Sequence, residues 1–437
     1  MKTILLLLAL FGIPGLIAAQ SIVNSKHNLS IGGPGKVKAT TETEVCLFCH
    51  TPHNSKPKSP LWNRHDPGST YTLYNSSTKK AVIGQPSGSS ILCLSCHDGT
   101  VALGSVLSRV NTISFANTVN MPNGPSNLST DLRNDHPVSF PYDGSLVKAN
   151  GHLKNPASLP SNMHLENGEL QCTACHDPHK NAYTDFLVMT SQNSTLCLAC
   201  HEVTNWSTSI HNTSVKTWDS LASAPNPNPW KFTPWKTVAD NACENCHNPH
   251  NGGATTRLLK YQTEEDNCFD CHNGHVATKN VFNEFNKPYK HNVYAYTSVH
   301  DPTESPLVNS KHVECVDCHS SHDMKTLKAA APLVKGANSG IAGIKQDGST
   351  ANPVSYEYEI CYRCHSNSAP TGPPTSRKIV QNNQRLEFDP TNPSYHPVAA
   401  IGKNTTLVDL ITPYSAASQI YCSDCHASDG TNAPAGP

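Results

Sequence analysis

The chain has 437 residues, 37% of them hydrophobic and only 15% charged, with a formal net charge of −1. That near-neutral balance, with no basic stripe, carries no electrostatic footprint for nucleic acid. With 33 Pro, 25 Gly and a mean hydropathy of −0.44, the chain is poorly supplied for a conventional apolar core, although its length allows two or three domains.

Residues 1–19 read as a secretory signal: Lys2, the apolar run Ile4–Phe11, a Gly/Pro break, then Ala18-Ala19. The run is too short and too interrupted to span a bilayer, and no other stretch approaches a transmembrane segment. An exported, soluble protein is expected, in the periplasm or at the cell exterior.

Residues 20–160 carry two C-x-x-C-H motifs, one formed by Cys46, Cys49 and His50, the other by Cys93, Cys96 and His97. Between them lie Leu61-Trp62-Asn63-Arg64-His65, Tyr71, Tyr74 and a Gly/Ser-rich turn region. Residues 111–171 have no motif, only His136, His152 and His164 among Asn, Pro and Gly; loops are expected, with at most a short hairpin around Val138–Tyr142. Residues 161–222 then hold a paired unit, Cys172, Cys175 and His176 followed by Cys197, Cys200 and His201, with 25 residues between first cysteines.

After a Pro-rich linker at 223–242, residues 243–285 repeat that unit with Cys243, Cys246 and His247, then Cys268, Cys271 and His272. Both copies read C-x-x-C-H-x-P-H, an apolar stretch, then C-x-x-C-H; Phe186–Met189 aligns with Arg257–Lys260. A final region, 286–437, holds three more motifs: Cys315, Cys318 and His319; Cys361, Cys364 and His365; and Cys422, Cys425 and His426. An Ala/Gly/Pro tail follows. The expected fold is loop-rich and elongated: one or two helical turns beginning at each motif, a further helix over Ser214–Ala222, and few strands. Pro178 and Pro249 stop any helix soon after its motif.

Nine motifs use all 18 cysteines. A disulfide framework would not place His after every pair, and a Cys/His zinc protein has no need for the same His nine times. C-x-x-C-H is the signature of covalent c-type haem attachment, in which each thiol adds to a vinyl group and the His ligates iron from one face. Nine haems per chain would supply the apolar bodies that the loops lack.

Nine motif histidines leave 15 of 24 unassigned, so a second histidine on every iron is possible in numbers and low-spin, low-potential centres are expected. His53, His179, His250, His275 and His322 each stand three residues after a motif His. None can reach round its own porphyrin, so a ligand from this group must serve a neighbouring haem. The first choices for distal ligands are His53, His179, His250 and His322, with His27, His136, His211, His300 and His396 from motif-poor stretches. His275, His312, His291, His164, His152 and His65 stand in reserve. Arg363, within C-Y-R-C-H, is a candidate partner for a propionate, whereas Asp177 and Glu244 read as solvated loop charges.

The two C-x-x-C-H-x-P-H…C-x-x-C-H units, the Cys46–Asn54 opening and Leu92–Thr100 resemble the doubled C-x-x-C-H family of multihaem c-type cytochromes, abundant in metal-respiring bacteria. The resemblance implies electron transfer in the periplasm, through outer-membrane conduits or along extracellular filaments, with other redox proteins or extracellular acceptors as partners. In filament-forming members the histidine after the motif ligates an adjacent haem. A non-catalytic electron carrier is therefore expected. The alternative is a multihaem reductase of nitrite, hydroxylamine or a sulfur oxyanion, which needs one open haem. A homopolymer is a further possibility, in which an N-terminal arm bearing His27 serves the next copy.

Overall fold

The computed structural model describes residues 22–56, 61–220, 228–288, 290–305, 312–367 and 381–426. The expected signal segment, part of the Pro-rich linker and the tail after His426 lie outside the described residues. The protein is loop-rich, with short helices and three two-residue strand pairs among those residues. Thr72–Leu73 runs parallel to Asp131–Leu132, Phe140–Pro141 antiparallel to Glu169–Leu170, and Gly343–Ile344 antiparallel to Thr350–Ala351. No described helix is long and apolar enough to cross a membrane.

Helix placement alternates along the chain. Motifs 1, 3, 5, 7 and 9 form a single tight turn starting at, or one residue before, the first cysteine: Cys46–Phe48, Cys172–Ala174, Ala242–Asn245, Cys315–Cys318 and Cys422–Cys425. Motifs 2, 4, 6 and 8 instead follow a helical lead-in, on Gly88–His97, Thr195–Leu198, Glu264–Phe269 and Glu357–His365. The expectation that each helix begins at its motif therefore fails for the even set. Motif 8 shows the difference clearly: Cys361 is the fifth residue of its helix, and Cys364 stands in the last turn rather than the first. Cys364 is half-buried there, as most motif cysteines are. The even lead-ins carry the helix-compatible runs Ser-Ser-Ile-Leu, Thr-Leu, Glu-Glu-Asp-Asn and Glu-Tyr-Glu-Ile, whereas Gln171 and Glu314 before odd motifs are extended.

Three local expectations are corrected. The segment around Val138–Tyr142 does form a strand, but its partner is Glu169–Leu170, immediately before motif 3, so no local hairpin closes. Between them stands an unexpected helix, Gly144–Asn150; Asp143 caps it by accepting from the Ser145 and Leu146 N–H groups, and Gly151 ends it at φ +76°. Residues 214–220 are not helical; the helix lies earlier, at Ile210–Thr213, capped by the Ser209 hydroxyl.

The repeat alignment also moves by one residue. Cys175 O accepts from Val188 N–H and Cys246 O from Lys260 N–H, while Phe186 O and Leu258 O accept from Asp177 and Asn248. Phe186 thus corresponds to Leu258, and the second copy carries one extra residue in its Asn-Gly-Gly loop.

Side-chain packing is divided into small clusters. The largest joins Phe140, Tyr142, Leu146, Met163, Leu170, Ala174, Met189 and Ala199 around motifs 3 and 4. Near motifs 1 and 2 a polar group stands in the interior beside apolar ones: Arg64 is fully buried and donates to the carbonyls of Ser95, Ala102 and Leu103 and to the Ser95 hydroxyl. An apolar replacement leaves those acceptors without a donor, at about 1–3 kcal/mol each. Arg64→Met should therefore lose at least about 4 kcal/mol in total, read as a lower denaturant midpoint in the holoprotein's visible absorption. An unchanged midpoint would mean that water replaces the guanidinium.

Candidate haem-binding site

A single connected cavity of about 4350 Å³ is lined by cysteines and histidines of motifs 1 to 7. It is several times larger than the roughly 300–1,000 Å³ of a small-molecule pocket. The motif sulfurs are set in sequence along the protein. First cysteines interact across alternate junctions, Cys93 with Cys172, Cys197 with Cys243, Cys268 with Cys315 and Cys361 with Cys422. At the intervening junctions second cysteines approach one another. Cys49 interacts electrostatically with Cys96, Cys175 with Cys200, Cys246 with Cys271, and Cys318 with Cys364 as well as with Cys361. Each motif therefore stands beside the next one in chain order.

Side chains from the lead-ins fix the first kind of junction. The Ser90 hydroxyl accepts from Cys172 N–H at 3.0 Å, and the Ser194 hydroxyl from Cys243 N–H at 2.7 Å. At the last junction Glu357 accepts from Ser423 N–H at 3.1 Å. The Ser194 bond joins the two repeat units across the linker.

Seven motif histidines face a second histidine. His50 faces His179, His97 faces His27, His176 faces His250 and His201 faces His136, with ring centroids 6.0, 6.1, 6.1 and 6.3 Å apart. His247 faces His322, His272 faces His211 and His365 faces His291, each at 6.3 Å. Metal–imidazole bonds of about 2.0–2.1 Å on either side of one ion put the centroids roughly 6.2–6.5 Å apart. Four of the pairs have the spacing of two axial imidazoles, and the other three, at 6.0, 6.1 and 6.1 Å, fall just short of it.

Their donors are oriented for that role. The Nδ1–H groups of His97, His136, His176, His211 and His247 donate to the carbonyls of Ser126, Pro137, Asp185, Ser321 and Arg257, at 2.7–3.0 Å. His250 Nδ1 lies 3.0 Å from the Asp135 carboxylate. Such bonds select the tautomer whose Nε2 carries a free lone pair. Burial lowers the His27, His201, His272 and His322 pKa values to about 4, so these rings are neutral, the form that binds iron.

The pairs obey two rules. Motifs 1, 3 and 5 are faced by the histidine three residues after motifs 3, 5 and 7. Motifs 2, 4, 6 and 8 are faced by a histidine from the spacer preceding the motif before them. His291, held in reserve, is placed opposite His365 by the second rule. Asp135 has no sequence signal beyond its place beside His136.

Other sequence candidates are not brought opposite a motif histidine. His300 instead bonds to Glu314 and faces His312 at 6.2 Å. His396 is exposed beside Phe388, and His53, His65, His152 and His164 are exposed. His275 is buried against Trp218, its Nδ1 bonded to Asp219 O. Among the described residues, no second histidine ring faces His319 or His426. Arg363 pairs with Asp317 at 2.9 Å.

Paired C-x-x-C-H motifs, facing imidazoles and a connected cavity are what a multihaem c-type cytochrome requires. The model of the doubled CXXCH motif matches residues 164–205 and 236–277, the two repeat units. Covalent haem c binding and electron transfer are the class of chemistry to which that match, over those two stretches alone, points. No curated protein matches the chain.

Proposed function

We propose that the protein is a nine-haem electron carrier of periplasmic or extracellular respiration, with at least seven six-coordinate, bis-His sites. The observation that carries this reading is the set of seven facing histidine pairs, ordered by cysteine contacts along the whole series of motifs. When bound, each haem supplies a one-electron iron centre. The chain's own part is to attach it through two thioethers, hold two neutral imidazoles on the iron and keep successive attachment points in contact.

The paired rings leave no open coordination position for a substrate, which favours a carrier over an enzyme. A reductase of nitrite, hydroxylamine or a sulfur oxyanion is the second reading, favoured only at motifs 7 and 9, whose histidines lack a facing ring among the described residues. A homopolymer is a form of the first reading. Its original motive is lost, because His27 is turned inward to His97 of its own chain. His53, exposed and three residues after a motif His, is the histidine placed to serve another copy.

Spectroscopy of the purified holoprotein tests the proposal. At least seven haem equivalents should give low-spin EPR signals, and reduced protein should bind no more than two equivalents of carbon monoxide. Sustained turnover of nitrite or hydroxylamine with a reduced viologen donor would replace the carrier reading with the reductase.

A further inference from the structure

His300 and His312 are set apart from the facing pairs. With Glu314 and Asp317 they bring four potential ligand atoms within 4.8 Å of one another. Glu314 Oε2 lies 2.8 Å from His300 Nδ1 and 3.3 Å from His312 Nε2, and Asp317 Oδ1 lies 3.8 Å from His300 Nδ1. Tetrahedral zinc with bonds of about 2.0–2.1 Å has ligand–ligand edges of roughly 3.3 Å, which these separations bracket.

The cluster is buried, and carboxylates outnumber guanidinium groups around it. The four side chains are 9%, 10%, 0% and 4% exposed in residue order. Glu314 Oε1 is buried with no hydrogen-bond partner. Glu264 accepts from His300 N–H at 3.0 Å, and Glu265 beside it has both carboxylate oxygens buried and unpartnered. Two guanidinium groups reach this group of carboxylates: Arg363 on Asp317 and Arg257 on Glu264. Buried carboxylates in such excess call for a cation. Two imidazoles among the ligands select a borderline transition ion over calcium or magnesium, which prefer oxygen alone.

We propose that His300, His312, Glu314 and Asp317 bind one divalent transition-metal ion of the zinc type, distinct from every haem iron. The site ties the segment ahead of motif 7 to the motif itself, since Glu314 precedes Cys315 and Asp317 lies between its two cysteines. Cys315 in turn interacts with Cys268 of motif 6. On the electron-carrier reading, a fixed divalent charge here favours the reduced state of the nearest haems and raises their potentials.

The test uses holoprotein stripped with a chelator and then titrated with zinc chloride alone. The expected result is one tightly held zinc per chain by elemental analysis, with His312→Ala and His300→Ala each weakening retention at least 100-fold. The haem count and low-spin spectrum of both variants should match the wild type, and His164→Ala should bind zinc normally. Zinc removal should shift part of the wild-type reductive titration to lower potential.

Wild-type protein that retains no zinc, or variants that retain it unchanged, would overturn the proposal. A new high-spin haem in either variant would also overturn it, making that histidine an axial ligand. Zinc binding is measured without electron transfer, so failure of the carrier reading would leave it standing, and the reverse holds as well.

Discussion

Chain produced without haem attachment, by expression without its haem-ligation machinery, should show no cooperative thermal transition and a flat near-ultraviolet spectrum. Its radius of gyration should move toward the roughly 75 Å of an unfolded chain of this length. The reason lies in how the apolar surface is distributed. Buried hydrophobic residues fall into separate small clusters, such as Tyr71, Leu94 and Leu132 near motif 2 and Trp230, Val238 and Val276 near motif 5. Between them runs the 4350 Å³ cavity, whose lining side chains have no protein atoms to pack against across it. Without a bound apolar group, the burial left to these clusters does not offset the backbone entropy of so many loop residues. A sharp melt in the haem-free chain would show that the polypeptide holds itself together and that the haems are passengers.

His250→Ala should convert one haem per chain, and only one, to a high-spin form that binds one additional equivalent of carbon monoxide after reduction. His250 faces His176 at 6.1 Å, yet it belongs to the loop of motif 5, where Asp135 orients its ring and His136 N–H donates to Pro249 O. Removing the imidazole opens motif 3 while leaving attachment at motif 5 unaltered. The size of the effect, one haem of nine, is set by the one-to-one pairing of rings. His53→Ala supplies the control and should leave the monomer's spectrum unchanged. A low-spin spectrum in His250→Ala would mean that another residue ligates that iron and that the facing pair is not axial. Partial loss at two haems would mean that the Asp135–His250 contact also supports His136 opposite His201.

Much of the site was legible in covalent and local terms. Cysteine spacing marks nine candidate attachment points because two thiols and an imidazole must meet one macrocycle within five residues. The same locality explains why His179, His250 and His322 could be read as ligands to a neighbour: a ring three residues beyond the motif cannot bend round to the opposite face. The one-turn structure at odd motifs and the near absence of sheet follow from the Pro, Gly and Asn that interrupt every spacer. The capped helix Gly144–Asn150 was also within reach, since Asp143 and Gly151 are ordinary cap residues at the right distance.

The partner of each histidine was decided only by the tertiary structure. His291 and His300 stand in similar motif-poor stretches, and nothing local separates them. The fold carries His291 to His365 of motif 8, while it buries His300 against Glu314 and Glu264. His53 has the same spacing as His179, but no earlier motif in its own chain lies where its ring points to a partner, and it remains exposed. The facing histidines come from different motifs and spacers, so which rings meet depends on how the turns stack. That stacking is set by cysteine contacts and by single side chains such as Ser90 and Ser194, whose role appears only once the motifs are side by side.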